Sequence, residues 1–395
     1  MKILFWMFTG FDRHVTSEHL LSAVIEQLCR AGHTVHILQK DTGGDLPAIP
    51  EALSEYDVTT DAIPFQNADK GNFVARYLAE LRYIKACRQH LTADYDAVFL
   101  QSNTVAGFAV KAVRRKLPNA ILTFNVQDIF PYNAAFSGTI RRGGAIFRTL
   151  AAIQRYAYRH ADHVITISED MKGTLVADGV EADKIEVVYN WSYQDAPYEN
   201  LDPAPIAHLF EAGGFRVVYA GNLGVMQNVD LLIETANVLR TEPGIRFYII
   251  GDGAYRQKLR LKAEAYGLKN VTFLPMQPPE RAPLIYSAAD VNVIPLRKDI
   301  YRTALPSKTA TCLACGKPII LAIGTAGGFA GLAAEQAGCL VTEPDDPAQL
   351  ADAIRTVRQR GERDSDVRFF LERFSRTENS RRYARIITGE HANPH

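Results

Sequence analysis

Short, unbroken apolar runs alternate with stretches of helical periodicity along almost the whole chain. In the first half the runs fall at 2–7, 34–38, 97–100, 120–125, 163–167 and 185–188, with a weaker one at 57–60. In the second they fall at 215–220, 245–250, 271–274, 291–295 and 339–342, with another beginning at Ile319-Ile320. Runs of this kind, lacking polar alternation, predict parallel strands covered on both faces. Helical stretches at 229–239, 254–266, 283–288, 310–315 and 348–358 supply the cover. The fold class is therefore α/β, with doubly wound, Rossmann-like sheets. Around Pro197, Pro203, Pro205 and Gly213-Gly214 the alternation lapses, which predicts a hinge. Domains at 1–200 and 201–374 follow. Two further helices read at 367–374 and 377–387, and the tail at 389–395 is expected to be disordered.

Composition fits this picture. At 395 residues the chain exceeds one core, and 47% hydrophobic with 22% charged residues describes an ordinary soluble protein. No apolar run reaches the roughly 18 residues of a spanning helix, and the first residues form a strand pattern instead of a signal peptide, so a cytoplasmic location is expected. Five cysteines are too few and too scattered for a disulfide framework. Cys312 and Cys315 form a C-x-x-C, but no second pair or neighbouring histidine completes a metal set, and core packing is the reading we adopt.

Net charge is zero, yet its distribution is uneven. From Lys70 to His160 there are fourteen Lys and Arg against four acidic residues. Arg141, Arg142, Arg148, Arg155 and Arg159 flank Ile140, Ile146, Phe147, Leu150 and Ile153, the pattern of a helix lying on an anionic membrane. A solvated helix with a core face is the alternative. No motif in this window reads nucleic acid.

Candidate chemistry gathers in the second half. Leu305-Pro306-Ser307-Lys308 leads into a short helix that stops at Gly316, an arrangement able to aim a cation and backbone N–H groups at a diphosphate. An ordinary loop-helix-strand connection is the other reading. Upstream, the strands at 215–220 and 245–250 end in Gly221-Asn222-Leu223-Gly224 and Gly251-Asp252-Gly253. Ligands of open α/β sheets collect at such carboxyl ends. Asp94-Tyr95-Asp96 is a tempting D-x-D, and a turn explains it as well.

Taken in order, Tyr219 to Gly224 with Gln227, Ile250 to Gly253, Ala288-Ala289-Asp290, Leu305 to Lys308 and Leu313 to Pro318 resemble the family-4 glycosyltransferases of the GT-B fold. The likeness is to the branch of bacterial N-acetylfucosamine-type transferases. Asn125 to Pro131 and Ala161 to Ser168 extend it into the first half. The resemblance implies two domains facing a central cleft, with the last helix, 375–388, returning to the first domain. It also implies a retaining transfer from a UDP-sugar, without metal or other cofactor, to a lipid-linked or saccharide acceptor in surface-polysaccharide assembly. The enzyme would sit peripherally at the inner face of the plasma membrane.

The implied donor site comprises Gly10, Gly221, Asn222, Gln227, Gly251, Asp252, Gly253, Arg297, Arg302, Ser307, Lys308 and Thr311. Lys308 would also stabilise the leaving group. Gln127 and Asp128 fall on the acceptor side, Asp128 orienting the acceptor hydroxyl; a turn aspartate is the alternative. Arg141, Arg142, Phe147 and Arg148 would meet the membrane. The chain departs from the wider family where Asn222 and Gln227 replace an arginine and a lysine, and where Thr311 replaces the carboxylate that holds the ribose. Other readings are a catalytically inactive nucleotide-sugar scaffold and a nucleotide-sugar epimerase.

Overall fold

The apolar runs of the first half become a seven-stranded parallel sheet ordered β3-β2-β1-β4-β5-β6-β7. Its strands are β1 (Lys2–Trp6), β2 (Thr34–Asp41), β3 (Val58–Pro64), β4 (Ala97–Gln101), β5 (Ile121–Val126), β6 (His163–Thr166) and β7 (Ile185–Val187). The second half forms a six-stranded parallel sheet, β10-β9-β8-β11-β12-β13. Here the strands are β8 (Phe215–Ala220), β9 (Ile245–Ile250), β10 (Val271–Leu274), β11 (Val291–Pro295), β12 (Ile319–Ala322) and β13 (Cys339–Thr342). The computed structural model describes residues 1–11, 18–41, 43, 49–66, 73–92, 94–361 and 367–390. Lys70, where the basic window opens, and 391–395 of the tail lie outside these.

Burial explains why the strands lack alternation. Ile3 to Trp6, Val98 to Leu100 and Val217, Phe247 and Ile249 have no exposed surface, because helices cover both faces of each sheet. In each sheet the strand order reverses beside the first strand, between β1 and β4 and between β8 and β11. That is where a doubly wound sheet opens a crevice at its carboxyl edge.

The chain divides into Met1–Tyr189 with Arg376–His395, and Asn190–Ser375. The division expected after residue 200 thus falls after Tyr189. Ser192 Oγ bonds Thr311 Oγ1 at 3.3 Å and Tyr198 N donates to Ala314 O at 2.8 Å, which tie this segment to the helix Lys308–Ala314. Ser375 also stays with the second unit through Asp195, 2.8 Å away. The helix Arg376–Thr388 belongs to the first unit: Arg376 pairs with Glu26 at 2.9 Å, and Asn379 Nδ2 donates to Tyr189 O at 3.0 Å.

The arginine-flanked helix spans Ala145–His160, and Arg141 and Arg142 precede it. Most of its apolar side chains face inward. Leu150 is buried, Ile153 packs on Gly107 of the helix Ala106–Lys116, and Phe147 meets the Tyr132 ring edge-on at 5.4 Å. Among the large ones Ile146 is the exception, 54% exposed.

Gly107 permits this helix contact, since a Cβ there would stand 2.3 Å from the Ile153 carbonyl oxygen. Gly107→Ala should cost about 1–3 kcal/mol, the usual range for overpacking. Gly173, inside the helix Glu169–Ala177, has nothing within 4 Å of its virtual Cβ. Gly173→Ala should therefore stabilise by about 0.5–1 kcal/mol. Denaturant unfolding of the two variants checks both signs.

Candidate active site

In the second unit, backbone packs directly on backbone at the carboxyl edge of β8 and β9. Gly251 has φ +155°, and a Cβ on it would lie 1.9 Å from the Gly221 carbonyl oxygen. Gly253 likewise meets Leu223 O, with 2.5 Å to its virtual Cβ. No other residue type permits such an approach. The loops are then laced together by Gly221 N to Ile250 O (2.9 Å) and Leu223 N to Asp252 O (2.8 Å).

Lys308 enters this edge from the start of its helix. Its Nζ donates to Ala220 O at 2.8 Å and stands 3.8 Å from the centroid of the Tyr219 ring. A Cβ on Gly221 would come within 2.6 Å of that nitrogen. Tyr219 is itself buried, and its hydroxyl donates to Asn222 O. Among the described residues Lys308 makes no ion pair. Burial without a counter-charge pushes its ammonium down to about 8.

The remaining donor-side residues are placed differently. Asn222 is exposed and its Nδ2 reaches Gln227 Oε1 at 3.4 Å, over Gly224, whose missing side chain leaves the room. Asp252 is exposed and its Oδ1 accepts from Gly253 N at 2.8 Å. Arg297 is a strut for the neighbouring loop: its Nε donates to Val225 O at 2.7 Å and its Nη2 lies 3.4 Å from Asp230. Arg302 pairs with Asp299 at 3.4 Å in the turn Ile300–Arg302. Ser307 is exposed beside Lys308, whereas Thr311 is buried against Ser192.

In the first unit, Gly10 follows β1, and its virtual Cβ would lie 2.8 Å from Lys40 O, so the tight approach is to the chain's own backbone. Two buried glutamines fasten this loop. Gln101 Oε1 accepts from Phe8 N (3.1 Å) and Gln39 Oε1 from Phe11 N (2.9 Å). After β5, Gln127 Nε2 donates to Asn125 Oδ1 and to Tyr383 Oη, each at 3.2 Å. Asp128 accepts from Asn133 Nδ2 at 2.8 Å, and burial pushes its carboxyl up to about 6 although that bond opposes the shift.

Sequence reasoning missed Tyr219, Asn125, Gln39, Gln101 and Tyr383. A signal was present for three of them: Gln39, Gln101 and Asn125 are amides near the carboxyl ends of otherwise apolar runs. Asp94 and Asp96 lie at the opposite, amino edge, where Asp94 pairs with the Lys2 side chain and Asp96 accepts from Lys2 N at 2.7 Å. Cys312 and Cys315 are buried free thiols whose pKa burial raises, that of Cys315 to about 12. Among the described residues no three His, Cys, Asp or Glu side chains are grouped to hold a metal ion.

Family profiles match both halves. "Glycosyl transferase 4-like domain" covers residues 18–191 and "Glycosyl transferases group 1" covers residues 214–360. WcaI of Escherichia coli K12, named as a candidate colanic acid biosynthesis glycosyl transferase, is 29% identical over 180 residues, 44% of either chain. This chain thus spans less than half of that relative. WbjE of Pseudomonas aeruginosa, a candidate glycosyltransferase, is 21% identical over 79% of this chain and 78% of its own. Among solved structures, Anabaena HepE in complex with UDP and glucose has a TM-score of 0.72 at 17% identity, covering 98% of this chain and 100% of that one. WaaG, a glycosyltransferase involved in lipopolysaccharide biosynthesis, has a TM-score of 0.64 at 16% identity, covering 98% and 100%. Likenesses at such identities show the fold, that of the GT-B glycosyltransferases.

The lowered pKa of Lys308 carries a sign. Between about 8 and the ordinary 10.5 the unfolded chain holds the proton that the folded chain has lost, so this residue's contribution to stability rises with pH. Comparing unfolding of the wild type and Lys308→Met at about pH 7 and about pH 10 isolates it. The gain with pH should be larger in the wild type; equal gains would assign the slope to other groups.

Proposed function

A chain whose two halves match both domains of the family-4 glycosyltransferases belongs to that family, and on this premise we propose that it moves a sugar from a UDP donor to a saccharide or lipid-linked acceptor in bacterial surface-polysaccharide assembly. The observation that carries this reading is Lys308, a cation without a carboxylate partner among the described residues, seated on the glycine loops at the carboxyl edge of β8. The UDP bound by Anabaena HepE supports the choice of nucleotide. An N-acetylated or deoxy-aminosugar is the donor sugar that the branch resemblance favours.

Breaking the bond between sugar and diphosphate builds negative charge on the leaving group. A fixed ammonium in a desolvated site stabilises that charge more than it stabilises the ground state. Such a charge-assisted contact contributes about 1.5–3 kcal/mol. On this reading the departing phosphate takes the acceptor proton, the configuration is retained, and no metal is required. Asp128 accepts a hydrogen bond from the acceptor hydroxyl and orients it, with Asn133 holding the carboxylate in place. Thr311 favours a second reading, an inactive scaffold, because its hydroxyl bonds Ser192 where a ribose-holding carboxylate is expected.

Incubation with UDP-glucose, UDP-galactose and UDP-N-acetylglucosamine, each with octyl glycosides as acceptors, tests this function. Transfer or slow donor hydrolysis is expected; nucleotide binding without turnover would favour the scaffold, and conversion to an epimer would overturn transfer. Lys308→Ala should lower the rate by about one to two orders of magnitude. With the Asp128 carboxyl raised to about 6, activity should fall as the pH drops below that value, and Asp128→Asn should remove the acid limb.

The basic face bears on location. Arg141, Arg142 and Arg148 are exposed around Ile146, while the Arg142 guanidinium stands 5.6 Å over the Tyr132 ring. Among the described residues no helix is long and apolar enough to cross a membrane. We assign this face to peripheral contact with anionic lipid, each basic side chain contributing on the order of 1 kcal/mol. Phe147, packed on Tyr132, adds little to insertion. Replacing the three arginines by glutamine should weaken sedimentation with phosphatidylserine liposomes, and unchanged sedimentation would end the membrane assignment.

A further inference from the structure

We infer that Tyr383, on the last helix, is a positioning residue for Gln127, fixing that side chain for the acceptor half of the reaction; the functional part of this inference rests on the acceptor-side reading above. Three polar atoms close a ring beneath the carboxyl end of β5. Gln127 Nε2 donates to Tyr383 Oη and to Asn125 Oδ1, and Tyr383 Oη donates to the same Asn125 oxygen, each contact 3.2 Å. Asn125 and Tyr383 are both 2% exposed. A buried polar ring of this kind is costly unless every member is satisfied, and here both hydrogens of the Gln127 amide nitrogen have partners inside it. The side chain of Gln127 is therefore held in one orientation by a residue more than 250 positions later in the chain.

The hydroxyl is not what holds the helix. Arg376 pairs with Glu26, Asn379 donates to Tyr189 O, and Arg382 Nη2 donates to Val187 O at 3.0 Å. The Tyr383 ring lies 6.4 Å from that of Phe99 and packs irrespective of its oxygen. A phenylalanine at 383 would fill the same space. What the oxygen adds is the bond to Gln127 and Asn125, which makes the end of the chain a determinant of a loop at the sheet's carboxyl edge.

Tyr383→Phe separates the two roles. In protein labelled with [15N]glutamine, the Gln127 side-chain amide resonances, identified by their loss in Gln127→Ala, should be well dispersed in the wild type and move towards free-amide positions in Tyr383→Phe. Resonances that stay put overturn the inference. With the active UDP-sugar and octyl glycoside pair, Tyr383→Phe should raise the acceptor KM about fivefold, the effect of one hydrogen bond, leaving the donor KM unchanged. The double variant should match Gln127→Ala alone, and additive effects would overturn action through Gln127. Should the resonances move while Gln127→Ala is kinetically silent, the acceptor-side reading fails and the positioning contact stands.

Discussion

The contact between the Lys308 ammonium and the Ala220 carbonyl depends on the absence of side chains around it. With a Cβ at Gly221 the nitrogen would be displaced, and with one at Gly251 the loop bearing Gly221 could not close against its neighbour. Two glycines thus determine where a positive charge can stand. The cation rests on a carbonyl dipole and an aromatic face, which attract it but do not neutralise it. Its depressed pKa reflects that incomplete compensation. An anion arriving at this edge would supply the missing counter-charge and restore the proton's affinity, so ligand binding and protonation of Lys308 are coupled.

The first unit organises its carboxyl edge by other means. Where the second unit uses glycine to bring backbone against backbone, the first uses buried amides. Gln101 and Gln39 receive the N–H groups of Phe8 and Phe11, and Asn125 joins Gln127 to Tyr383. Loops that leave a strand lose the ladder partners their backbone would otherwise have, and an amide at the strand's end replaces them. A pair between the buried Lys40 and the half-buried Glu80 at 2.6 Å, with the ammonium 3.8 Å from the Phe65 ring centroid, ties the end of β2 to the helix Phe73–Cys87 in the same region. Such polar groups are expensive to bury and specific once satisfied.

This contrast accounts for what could be read from the sequence. Strands were legible because burial on both faces writes them as continuous apolar runs, and the glycine turns stood out at their ends. The boundary at Tyr189 was not, since Ser192 and Tyr198 join the second unit through hydrogen bonds that leave no periodic trace. Periodicity also could not separate a core face from a lipid face: Leu150 and Ile153 face protein, and only the exposed position of Ile146 keeps a greasy element among the arginines. Arg297 shows the same limit for charge. Its residue type suggests a phosphate ligand, whereas its partners, Val225 O and Asp230, make it a brace for the loop that carries Gln227.

Thr311 connects the charge at the donor edge to the departure from the wider family. Position 311 lies one turn after Lys308 on the same helix, the spacing at which side chains of opposite charge pair. A glutamate there would place a negative charge one turn from the lysine. Threonine, bonded to Ser192, brings no charge. On the function proposed above, the carboxylate that would grip the ribose is exchanged for a neutral threonine, which leaves the charge of Lys308 to the diphosphate. Donor recognition in this chain would then lean on the phosphates more than on the nucleoside, and the neutral Asn222 and Gln227 add no charge to that of Lys308.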